Sequence, residues 1–132
     1  MIETHIAEDV ALAVNGDLKA FDRLLKLGPL AVDRAATSLP EMTLTRAGLL
    51  NVLLAFQNGA AAAETVQQWA SFMRWGLVGP FSGPAHTVNI AYDESHENDI
   101  SDVVGRLDEL GDLIDGTISR KELKAMIYRM KQ

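Results

Sequence analysis

The chain contains no cysteine, which removes disulfides, thiolate metal sites and thiol nucleophiles together. Long apolar runs are also missing. The longest candidate, Leu44 to Phe56, is interrupted by Thr45, Arg46 and Asn51, and a membrane span needs roughly 20 apolar residues. The segment Met1-Ile2-Glu3-Thr4-His5 lacks the basic region and apolar run of a signal peptide, so a cytoplasmic protein without a membrane partner is expected. Positive charge is scarce where acid is dense. From Asp93 to Asp115 nine acidic residues stand against Arg106 alone, a segment charge of −8; the other 11 basic and 9 acidic residues leave +2. Such a field repels polyphosphates, so nucleic acid is not an expected partner.

What is present suits a globular chain. With 132 residues, 48% of them hydrophobic and 23% charged, a single domain spanning 1–132 can bury roughly two thirds of its unfolded surface. Ile2, Ile6, Val10, Ala13 and Val14 keep helical spacing up to Asn15-Gly16. Asp17 is placed to cap a second helix with the stripe Leu18, Phe21, Leu24 and Leu25, ending at Gly28-Pro29. Pro29 opens a third helix, expected to run to about Leu39-Pro40. Thr43 or Thr45 caps a fourth through Phe56, apolar nearly all round and therefore read as a central helix buried by its neighbours. A fifth turns Ala62, Val66, Trp69 and Met73 inward and ends at Gly76.

Gly76, Gly79, Pro80, Gly83 and Pro84 then break regular structure. His86 to Tyr92 alternates like a short strand, but with no partner in view the whole stretch 76–98 reads as an ordered loop. A sixth helix from Asp99 carries Ile100, Val103, Val104, Leu107, Leu110 and Ile114 inward, with its acids outward. Ser119 and Glu122 form a capping box for the last helix. The expected fold is all-α: a compact bundle of six or seven short helices around one central apolar helix, with a Gly/Pro-rich loop near 76–98.

No catalytic motif survives inspection. The stretch Asp112 to Glu122 echoes a calcium-binding EF-hand loop, with Asp115, Gly116, Ile118 and Glu122 in register. Its first and third positions, however, fall on Gly111 and Leu113, which offer no side-chain oxygen to a cation needing six to eight. A helix, an Asp-Gly turn and a capped helix explain the same residues. Around His96, the carboxylates Asp93, Glu94, Glu97 and Asp99 suggest acid–base or metal chemistry, but no second histidine is nearby, and a solvated loop entering a helix N-terminus accounts for them. The serines lack the context of a nucleophile elbow, and the glycines form no phosphate-binding loop. No enzyme activity, metal or cofactor is expected. Trp69 and Trp75, six residues apart on one helix, point about 120° apart. Both read as core, with Trp75 the binding anchor if one is exposed.

The residues Leu49-Leu50-x-x-Leu53, Asn58-Gly59, Glu64-x-Val66-x-x-Trp69-Ala70, Tyr92-Asp93-Glu94, the helix Ile100 to Leu110 and Ile118-Ser119-x-x-Glu122-Leu123 make a recurring pattern. It resembles the small helical immunity proteins of bacterial toxin systems, broadly the colicin-D-type and contact-dependent growth inhibition group, over about 60% of the chain. The segment between Trp75 and Tyr92 and the hairpin before Pro40 depart from that pattern. The resemblance implies a cytoplasmic inhibitor that binds a cognate toxin domain, often a nuclease with a basic cleft. The partner-facing residues are then Trp75, Tyr92, Asp93, Glu94, Glu97, Asp99, Asp102, Glu109 and Asp112, on a monomer or weak homodimer. Two other readings stand beside it: a non-enzymatic adaptor or homodimer built on Trp75 and Leu77-Val78, and a degenerate calcium sensor.

Overall fold

In a computed structural model that describes residues 2–78, 86–112, 114 and 116–132, without the side chains of 2–4, the described residues form seven α-helices and one two-stranded parallel sheet. The expected Gly79, Pro80, Gly83 and Pro84 breaks, together with Leu113 and Asp115, lie outside the described residues.

The first three helices follow their punctuation. α1 (Ile2–Val14) ends before Gly16, and α2 (Leu18–Leu27) is capped by the Asp17 carboxylate, which accepts from the backbone N–H groups of Lys19 and Ala20 at 3.0 and 3.2 Å. Gly28, with φ at 91°, separates α2 from α3 (Pro29–Ala36). α3 stops at Ala36, short of the expected Leu39, because Thr37 and Ser38 turn the chain toward the sheet.

The sheet is the main departure from an all-helical chain. β1 (Met42–Leu44) pairs in parallel with β2 (Ile90–Tyr92), Met42 opposite Ile90 and Leu44 opposite Tyr92. The last three residues of the alternation at 86–92 are therefore a partnered strand, while 86–89 lie outside it. Its partner escapes sequence patterning because Met42-Thr43-Leu44 is only three residues long and runs straight into a helix cap. Thr45 is that cap, accepting from Gly48 N–H at 3.1 Å; Thr43 lies in the strand.

α4 (Arg46–Gln57) buries Gly48, Leu49, Val52 and Leu53, while Leu50, Leu54 and Phe56 are half-buried and Asn51 is exposed. It packs mainly on α7 (Arg120–Lys131), and α5 (Ala63–Trp75) packs mainly on α6 (Glu97–Asp108). Wholly buried side chains are spread over α1, α2, α4, α5 and α6 rather than gathered on α4. One close approach locks α4 to the α1–α2 corner. Gly16 has φ at 88°, and a Cβ there would stand 2.1 Å from the Gly48 carbonyl oxygen. Asn51 Nδ2 donates to the Asn15 carbonyl at 3.0 Å beside it.

α6 starts at Glu97, two residues before the expected Asp99, because a single 3-10 turn (Glu94–His96) feeds it and Asp93 caps that turn. It ends at Asp108. Leu110 is still buried in the following turn, but Ile114, expected inward, is 80% exposed, since Gly111 at φ 89° redirects the chain. Half of the expected capping box forms. Ser119 Oγ accepts from Glu122 N–H at 3.1 Å, while the Glu122 carboxylate turns away to Arg106.

Trp69 is the largest wholly buried side chain, and its indole N–H donates to the Ala13 carbonyl at 2.8 Å. Phe21 and Phe72 stack nearby with centroids 5.9 Å apart. Trp69→Ala should therefore cost about 3–5 kcal/mol, as large cavities left by an aromatic do. Urea denaturation measures it; a loss under about 1 kcal/mol would contradict this packing.

Candidate partner-binding surface

α5 turns Val66, Trp69, Ala70, Phe72 and Met73 into the core, and the next turn of the helix carries Arg74 and Trp75 outward. Trp75 is 57% exposed, so of the two tryptophans only Trp69 is core. The Arg74 guanidinium lies 4.9 Å from the Trp75 ring centroid, within cation–π range, and its Nη1 donates to Asp108 at 2.9 Å. Asp108 also accepts from Gln67 Nε2 at 2.8 Å. The Arg74 guanidinium, tied to Asp108, thus lies over a ring that is more than half exposed.

Gly76 ends α5 in the left-handed region at φ 71°. Its carbonyl accepts from Val88 N–H at 3.0 Å, and a Cβ at this position would lie 2.3 Å from the Val88 carbonyl oxygen. This contact brings the chain leading into β2 against the end of α5. Val78 is buried, so it cannot help build an exposed dimer patch around Trp75. Tyr92 at the end of β2 is half-buried, with its hydroxyl 3.5 Å from the Met73 carbonyl. Burial raises its phenol pKa above the ordinary value, Arg74 opposes that rise, and Asp108 adds to it. Between β2 and the end of α5 lies a groove of about 390 Å³ lined by Met73, Arg74, Ile90, Ala91, Tyr92, Glu94 and Glu97.

The structure divides the nine expected contact residues. Tyr92, Glu94 and Glu97 meet in this groove, Trp75 is not among its lining residues but contacts Arg74, which is, and Asp93 precedes Glu94, accepting from Ser95 N–H at 3.1 Å. Asp99 and Asp102 instead turn to α7, where Arg129 Nη2 reaches them at 2.5 and 3.3 Å. The hydrogen bond from Arg129 lowers the Asp99 pKa below the ordinary carboxylate value. Glu109 pairs with Arg106 at 3.2 Å, and Arg106 is held by Glu122 at 2.6 Å. Asp112 is exposed beyond the far end of α6, whose 12 residues span about 18 Å. Among the described residues, Glu94, Glu97 and Asp112 make no ion pair.

Sequence reasoning missed Arg74, Asp108 and Arg129. Their pairs join residues far apart in the chain, and no local signal announces them. The tight turn at Gly116, where a Cβ would meet the Asp112 carbonyl oxygen at 2.1 Å, and the engagement of Glu122 by Arg106 account for the EF-hand-like spacing in structural terms. No group of three or more histidine or acidic residues suited to a metal occurs among the described residues. No helix among them is long and apolar enough to cross a membrane. Comparison of the chain with protein-family models, curated proteins and solved structures finds no match.

Two measurements check this surface. Acrylamide should quench one tryptophan component strongly and the other weakly. Trp75→Ala should remove the quenchable component while changing stability by less than about 0.5 kcal/mol; loss of the protected component instead would reverse the assignment. For Asp99, a depressed folded-state pKa means its stabilisation is present above the unfolded value near 3.8 and is lost as pH falls through the lower folded value. Arg129→Met should flatten the acid limb of stability below about pH 5, measured by urea denaturation at stepped pH. An unchanged acid limb would show that the pair contributes nothing.

Proposed function

We propose that this chain is an immunity protein that binds and neutralises a cognate bacterial toxin domain, a nuclease with a basic cleft, within the cytoplasm. The observation that carries this reading is the pairing of an exposed, pre-positioned Trp75 with a groove whose rim carboxylates, Glu94 and Glu97, have no partner among the described residues. An aromatic fixed in one orientation loses little entropy on docking and makes an efficient anchor. Unpaired carboxylates beside it attract lysines and arginines, speed encounter and disfavour acidic partners. The pattern shared with immunity proteins supports the same reading and implies the toxin as the basic partner. Asp93, Glu94, Glu97, Trp75 and Tyr92 form the docking centre in this account. Asp99, Asp102 and Glu109, already paired within the chain, contribute at the margin.

The direct test expresses the C-terminal domain encoded by the adjacent upstream reading frame in cells with and without this chain. Growth arrest relieved by the chain is the expected result; a harmless neighbour, or toxicity that persists, would sink the proposal. With the purified pair, the double variant Glu94→Lys/Glu97→Lys should slow association at least about tenfold at low salt. Asp102→Asn should slow it far less. Equal effects would place the contact on α6 and α7 instead of the groove.

A further inference from the structure

β2 has a second edge. In the parallel ladder, Met42 N–H donates to the Asn89 carbonyl at 2.9 Å and Asp93 N–H to the Leu44 carbonyl at 3.0 Å, and Ala91 supplies the bonds between them. The backbone groups of Ile90 and Tyr92 therefore point away from β1. None of their N–H or C=O groups makes a hydrogen bond among the described residues, whereas nearby Val88 N–H is taken by Gly76. Beside this edge runs the groove lined by Met73, Arg74, Glu94 and Glu97, so space for another chain adjoins the unpaired groups. An open edge with free donors and acceptors is a template for strand addition.

We infer that an extended basic segment of the partner docks on the outer edge of β2 as a third strand, its backbone pairing with Ile90 and Tyr92. Alternate side chains of an added strand face one side, so lysines or arginines at every second position meet Glu94 and Glu97. Charge selects this occupant. Both rim carboxylates lack partners among the described residues, while the groove's own cation, Arg74, is already engaged by Asp108 and Trp75. A second copy of the chain would bring its own Glu94 and Glu97 to the same edge and is disfavoured by like charge. The inference rests on the immunity reading and specifies the part of the surface that recognises the toxin.

Amide hydrogen exchange, read residue by residue by NMR, tests it on the unaltered chain with the neighbouring-frame toxin domain as probe. Without the probe, Ile90 and Tyr92 should exchange rapidly and Ala91 slowly. With it, Ile90 and Tyr92 should slow by at least about 100-fold, as amides newly locked in a ladder do, with Ala91 little changed. If calorimetry shows binding and both amides still exchange at their free rates, edge docking is overturned and the immunity reading stands. If the domain does not bind, that reading falls and the inference with it. Protection that instead rises with the concentration of the chain alone makes a second copy the occupant and overturns the basic partner.

Discussion

The arrangement depends on a single buried polar contact, the indole of Trp69 donating to the carbonyl of Ala13. A tryptophan this deeply buried would leave an unsatisfied N–H in the core without that acceptor. The bond ties the last turn of α1 to the middle of α5. With α5 fixed in that rotation, Val66, Phe72 and Met73 face inward, and Trp75 must face out. The exposed tryptophan is thus a geometric consequence of the buried one, set by the 120° that six helical residues place between them.

The helices were legible because their ends carry local chemistry. Asp17, Gly28-Pro29, Thr45 and Ser119 act at their own positions, and the helical periodicity of Val66, Trp69 and Met73 or of Ile100, Val103 and Leu107 does the rest. What was not legible is non-local. The β1–β2 pairing joins three-residue strands separated by α4 and α5, too short for a periodicity to identify either as half of a sheet. Ile114 failed for a related reason: its spacing fits the α6 stripe, but Gly111 ends the run before the period reaches it. Half of the candidate surface was readable. Tyr92 to Glu97 are neighbours in sequence and remain neighbours in space, whereas the pairing of Asp99 and Asp102 with Arg129 required knowing that α7 lies alongside α6.

That pairing changes what the acidic segment means. A run of −8 read from sequence suggests a uniformly negative face. In the fold, Arg74 and Arg129 come in from outside the segment, and Arg106 within it gathers Glu109 and Glu122. These are partly exposed pairs, each adding little to stability, but together three guanidinium groups offset part of the charge of the five carboxylates they hold along α6 and α7. Among the described residues of the segment, the carboxylates without an ion pair sit toward the ends, at Asp93, Glu94 and Glu97 on one side and Asp112 on the other. Screening beyond about 8–10 Å at physiological salt makes those two ends electrostatically independent.

Both ends carry apolar surface, Ile114 being exposed beside Asp112, but among the described residues only the Glu94 end also has a strand edge with unpaired backbone. At the Glu94 end, Gly76 permits the close approach of Val88 that lays β2 against α5, so a strand edge, an aromatic ring and two carboxylates converge there. At the Asp112 end the nearby groove is lined by Ala63, Glu64, Gln67, Leu110 and Gly111, without an aromatic or a strand. Charge alone draws partners without orienting them, whereas backbone pairing and a fixed ring define one docked geometry. The recognition we propose therefore falls at the Glu94 end, and the glycine that closes α5 is what brings β2 there.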